Sequence, residues 1–170
     1  MRTLVLSAVL ALAGLAPAIA QEVPAGGAQG IIAQDFVNRA ASGGVFEIRS
    51  SELALQRSQD DATRGFAETM IRDHTANNGD LLAMATNQGL LIPNELAEPH
   101  AGMMAVIKGA EEDAFDAAYA KGQVAAHEAA VALYGAYAEN GDNDLLIGYA
   151  RDSLPVLQQH LEQARNLTAQ

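Results

Sequence analysis

The chain has 170 residues, ten basic against twenty-one acidic, and a net charge of −11. That balance argues against DNA, RNA and anionic lipid as partners, because each requires a basic face. With no cysteine, there is no disulfide framework, thiolate metal site or cysteine nucleophile, nor the cysteine that anchors a bacterial lipoprotein.

Residues 1–20 have the form of a secretory signal peptide. Arg2 supplies a positive start, Leu4 to Leu15 an uncharged apolar stretch, and Ala18-Ile19-Ala20 the small residues a signal peptidase reads. The stretch is shorter than the ~20 residues needed to span a bilayer. Cleavage is expected after Ala20, which would deliver the mature chain to the periplasm. Residues 21–30 (QEVPAGGAQG) then read as a flexible linker.

From Ile31 onward apolar residues recur at intervals of three and four, the helical period. A first long helix is expected from about Ile31 to Ser58. Asp60 or Asp61 can cap a second, which continues to about Gln88 and stops at Gly89. Leu90 to Ala110 is a long connection that carries Pro93, Pro99 and a short helix (HAGMMAVIK) ending at Gly109. A third long helix should start near Glu111 and end at Asn140-Gly141. A fourth, capped by Asp142 or Asn143, should reach about Leu167. Gly43-Gly44 and Pro155 fall inside helices, where glycine permits close approach and proline predicts a kink near Ser153. Nothing alternates as a strand does. The expected fold is an all-α antiparallel four-helix bundle over residues 31–168, with helices of roughly 25 to 28 residues.

The residues able to carry chemistry are few. His74 shares a helical stripe with Ile71, Asn78, Leu81 and Ala85; His127 with Val124, Val131, Tyr134 and Ala138; and His160 with Val156, Gln163 and Leu167. Each therefore faces or borders the apolar side of its helix. The first helix has no histidine but carries Glu47, flanked on its face by Ala40, Gly43, Gly44, Ser50, Ser51 and Ala54. Small neighbours admit other helices, so the carboxylate should be buried. All four residues lie between the middle and about two-thirds of their helices, so they should share one layer.

Such a layer has two physical outcomes. It can hold one divalent transition metal (Zn, Fe, Mn and Cu are not distinguished), with Glu47, His74, His127 and His160 as ligands. Asp73 and Glu128, each adjacent to a histidine, are then candidate extra ligands or partners behind them, or else ordinary solvated acids. Alternatively the layer is a satisfied polar core that only fixes helix register. His100, in the long connection, is expected to be exposed. No G-x-S-x-G, P-loop or H-E-x-x-H pattern occurs, so no catalytic residue is named.

Four phrases, FVNRAASGGVFEI (36–48), FAETMIRDHTANN (66–78), FDAAYAKGQVAAHEAAVALY (115–134) and LPVLQQHLEQA (154–164), carry a family resemblance. Together they resemble an uncharacterised bacterial domain-of-unknown-function family often named "predicted outer membrane protein" and assigned to the ferritin-like superfamily. The resemblance implies an exported ferritin-like bundle and no established activity. The "outer membrane" name conflicts with the absence of strand periodicity. Di-iron members of that superfamily place Glu-x-x-His on two helices, and the pattern is absent from this chain. That leaves a mononuclear site, or a non-catalytic structural or interaction module of the cell envelope, linked to envelope stress.

Overall fold

A computed structural model describes residues 31–168. The expected signal peptide and linker lie outside the described residues. The elements are α1 (Ala33–Arg57), α2 (Asp61–Asn87), α3 (His100–Gly109), a 3₁₀ turn (Glu112–Ala114), α4 (Phe115–Asn140) and α5 (Asp144–Thr168). No strand occurs among the described residues.

Local chemistry sets the helix ends. The Asp60 carboxylate accepts from the Thr63 N–H at 2.7 Å, capping α2. At the other end Gly89 adopts φ +68°, which lets Leu90 N–H reach the Ala85 carbonyl and Gly89 N–H reach that of Thr86. These are the two bonds of a Schellman stop, and they need the left-handed residue that glycine supplies cheaply. Asn143 caps α5 by accepting from the N–H groups of Leu145 and Leu146.

One boundary expectation needed adjustment. The third long helix begins at Phe115 rather than near Glu111, because residues 112–114 form the tighter 3₁₀ turn. Helix α5 runs without interruption through Pro155, which is solvent-exposed. The ring sits where its clash with the preceding turn can be relieved toward water.

Short loops make α1–α2 and α4–α5 antiparallel hairpins. Each helix packs on two neighbours in the order α1, α2, α5, α4, so α2 and α4 face each other across the diagonal. The connection between them must therefore climb the length of the bundle, and it does so along α1. The Gln34 amide pairs with the Leu91 backbone near the start of α1. Ser42 Oγ accepts from Ala97 N–H midway, and Arg57 donates to the Ala110 carbonyl at its end. Neighbouring helices are thus all antiparallel, with one long crossover.

The interior divides into two apolar clusters. One contains Phe36, Leu81, Leu133, Tyr134, Tyr137, Leu146 and Tyr149. The other contains Phe46, Phe66, Met70, Ile107, Phe115 and Tyr119. On α2, α4 and α5 a histidine falls between the residues given to each cluster: His74, His127 and His160. A polar layer thus crosses the core at mid-height.

Candidate metal centre

The three histidines come from three helices and meet at the bundle axis. Their ring centroids form a near-equilateral triangle with sides of 5.6 Å (His74–His127), 5.5 Å (His74–His160) and 5.6 Å (His127–His160). One ligand-capable nitrogen from each lies within 4.8 Å of the other two. His127 is wholly buried, and His74 and His160 keep 5% and 3% of their surface.

Hydrogen bonding fixes which nitrogens are free. His127 Nδ1 lies 2.9 Å from the Gln123 carbonyl, an acceptor only, so Nδ1 carries the proton and Nε2 the lone pair. His160 Nε2 lies 3.0 Å from Asp73 Oδ2, so its Nδ1 is the free nitrogen. His127 Nε2, His160 Nδ1 and His74 Nε2 are all buried without a hydrogen-bond partner. Among the described residues few buried side-chain atoms share that condition, and half of them belong to this triangle.

Burial also sets protonation. Desolvation pushes His74 down to about 3, aided by repulsion from His127 and His160. It pushes His127 down to about 4, against the opposing pull of the Gln123 carbonyl. His160 is lowered by desolvation, partly offset by its bond to Asp73. All three imidazoles are therefore neutral at pH 7, the form that offers a lone pair.

The other expected residues divide. Asp73 stands behind His160, orienting it, and is itself held by Arg72 at 2.8 Å. Glu47 is buried, as its small neighbours predict, but its carboxylate is not part of the nitrogen cluster. Its Oε1 lies 3.5 Å from Nδ1 of His127, the protonated corner of that ring. Desolvation raises its pKa well above the usual carboxylate value, with hydrogen bonding from Gln123 opposing the shift only in part. Glu128 points to the surface and pairs with Arg165 at 2.8 Å, an ordinary solvated acid.

His100 corrects an expectation. It is 8% exposed rather than solvated, stacks on Phe46 and hydrogen-bonds through Nδ1 with Ser42 Oγ at 2.8 Å. Gly43 lies against the ring, where a Cβ would make an ordinary contact at 3.6 Å. Sequence reasoning missed this pairing because a connection is ordinarily solvent-exposed; the apolar run that follows His100 was the available signal.

The chain belongs to the family described as "Domain of unknown function (DUF4142)", which matches residues 18–167. No curated protein matches it. Among solved structures, CopM in the Cu(II)-bound form is similar at TM-score 0.69 and 16% identity, covering 82% of this chain and 97% of that one. The Cu(I)-bound form is similar at 0.65 and 16%, covering 78% and 92%. The Ag-bound form follows at 0.64 and 15%, covering 80% and 94%. At these identities the likeness shows the helical-bundle fold.

Proposed function

We propose that this protein binds one transition-metal ion, copper in particular, through His74 Nε2, His127 Nε2 and His160 Nδ1. The observation that carries the reading is the convergence of three buried histidines, one nitrogen of each within 4.8 Å of the other two, each ring having a buried nitrogen with no hydrogen-bond partner. Leaving a buried polar atom unsatisfied costs about 1–3 kcal/mol, and a layer built only for packing would pair such atoms. At metal–nitrogen lengths of about 2.0–2.1 Å, nitrogens on one ion stand about 3.4 Å apart, which small ring rotations can reach. A sulfur-free imidazole set suits Zn, Cu, Fe and Ni, and copper heads the affinity order for divalent ions. The similarity to copper- and silver-bound CopM supports the same choice.

In this reading Asp73 fixes the tautomer of His160, and the Gln123 carbonyl fixes that of His127. Glu47 packs on the Nδ1 side of His127 as a buried neighbour rather than a ligand, which narrows the four-ligand set expected from sequence. The ion is held in the periplasm, where the bundle buffers or delivers it, or keeps it from reacting with oxidants. Supporting export, the signal-peptide pattern precedes a domain in which no described helix is long and apolar enough to cross a membrane. Amino-terminal sequencing of the envelope-localised protein should begin at Gln21; a retained Met1 would contradict export by cleavage.

Equilibrium dialysis of tag-free protein against Cu(II) tests the reading. One equivalent should bind, and at a thousandfold excess over Kd the fold should gain about 4 kcal/mol, reversed by chelator. Absence of uptake together with a chelator-insensitive melting temperature would instead favour the second reading, a structural or interaction module whose polar layer only fixes helix register. The hydrogen bonds of His127 and His160 to Gln123 and Asp73 are what favour that alternative.

A further inference from the structure

The centre is buried, so a cation needs a way in. Between α2 and α5 lies a groove of about 570 Å³ that reaches His74 and His160 from the surface. Four carboxylates line it, Asp73 and Asp80 from α2 with Asp144 and Asp152 from α5, and no lysine or arginine does. Asp80, Asp144 and Asp152 are exposed, and none forms an ion pair among the described residues. An acidic cluster alone signifies little. Here it leads to two side chains more than nine-tenths buried, His74 and His160, each with a nitrogen lacking a partner.

The groove also has room. Gly148 lies in its lining, and a Cβ built there would meet nothing within 4 Å. The alternative approach is a cavity of about 260 Å³ on the crossover side, bordered by Glu47 and His74. Its lining mixes alanine and leucine with polar side chains, and it sets the cation Arg39 against two carboxylates, Glu98 and the buried Glu47. The α2–α5 groove, with four carboxylates and no cationic side chain, attracts a cation more strongly.

The geometry points to the α2–α5 groove as the entry port for the metal cation, with Asp80, Asp144 and Asp152 attracting it and Asp73 standing at the inner end beside His160. This rests on the metal-binding reading and adds the path to it. Carboxylates along a cleft raise local cation concentration and association rate by about 10- to 1,000-fold, an effect that salt suppresses.

Stopped-flow mixing of the protein with Cu(II) at low and high ionic strength tests the port, with EPR reporting the bound state. Asp80→Asn/Asp144→Asn/Asp152→Asn should slow uptake at low salt by about tenfold or more and flatten its salt dependence. Stoichiometry and EPR signature should stay as in the wild type, because no ligand has changed. Gly148→Leu should slow uptake at both ionic strengths by narrowing the groove. A control variant, Glu95→Gln/Glu111→Gln/Asp113→Asn, removes equal charge from the crossover face and should leave the rate nearly unchanged.

Wild-type uptake rates in both groove variants would overturn the port while leaving the metal centre standing. Equal slowing by the control would also overturn it, by assigning the effect to net charge. A wild-type chain that takes up no copper would remove the centre itself.

Discussion

At the residue scale, the metal centre sets function against stability. His74 Nε2 is buried without a partner, so an apolar side chain of similar volume should suit the metal-free fold as well or better. His74→Leu is predicted to melt at or above the wild-type temperature in chelator while abolishing metal uptake. A loss of several kcal/mol in chelator would mean that the imidazole serves packing. Asp73→Asn should weaken metal affinity about 10- to 100-fold with little effect on the metal-free fold, since Asp73 acts through His160; competition with a chelating dye measures it.

Protonation gives a second prediction at this scale. The folded pKa values of His74 and His127, about 3 and about 4, lie below their unfolded value near 6.5. Between those values the unfolded chain binds more protons. Stability from these groups is therefore full above pH 6.5 and lost as the pH falls through the folded values. Glu47 acts with the opposite sign: its folded pKa is raised, so its contribution is present at low pH and lost as the pH rises through that value. The metal-free chain should be most stable near neutrality. Urea unfolding across the pH range checks this, and Glu47→Gln should remove the part of the stability that is lost on raising the pH.

At the element scale, Gly44 shows how the helices come together. A Cβ at this position would overlap the Asn78 side chain of α2, so glycine is what allows that contact inside α1. Alanine has a helix propensity about 1 kcal/mol better than glycine. Gly44→Ala should nevertheless destabilise the wild type, and stabilise an Asn78→Ala background by about that amount. Additive effects in the double-mutant cycle would remove the contact from the account.

Most helix boundaries were legible because their signals are local: Asp60, Gly89, Gly109, Gly141 and Asn143 each mark an end. The 3₁₀ turn at Glu112–Ala114 was not, since acids suit the start of either helix type. The sharing of one layer by the three histidines could be read from their helical stripes and their heights. Which corner of each ring faces its neighbours could not, because Asp73 and the Gln123 carbonyl decide that only after folding. The same limit applies to Glu47, whose burial followed from its small neighbours but whose place on the Nδ1 side of His127 depended on how α1 meets α4.

At the scale of the whole molecule, one crossover places α2 and α4 on a diagonal, so His74 and His127 meet across the axis and His160 completes the triangle. Two apolar clusters above and below keep that layer dry, which makes the imidazoles neutral and their lone pairs available. The fold, the protonation and the proposed binding are thus consequences of one arrangement. Elemental analysis of tag-free protein recovered from the periplasm tests that arrangement most directly. The account predicts about one equivalent of copper in the wild type and almost none in His74→Leu, since a three-nitrogen site loses most of its affinity with one ligand. Wild-type protein free of every transition metal, and taking up none on titration, would contradict it.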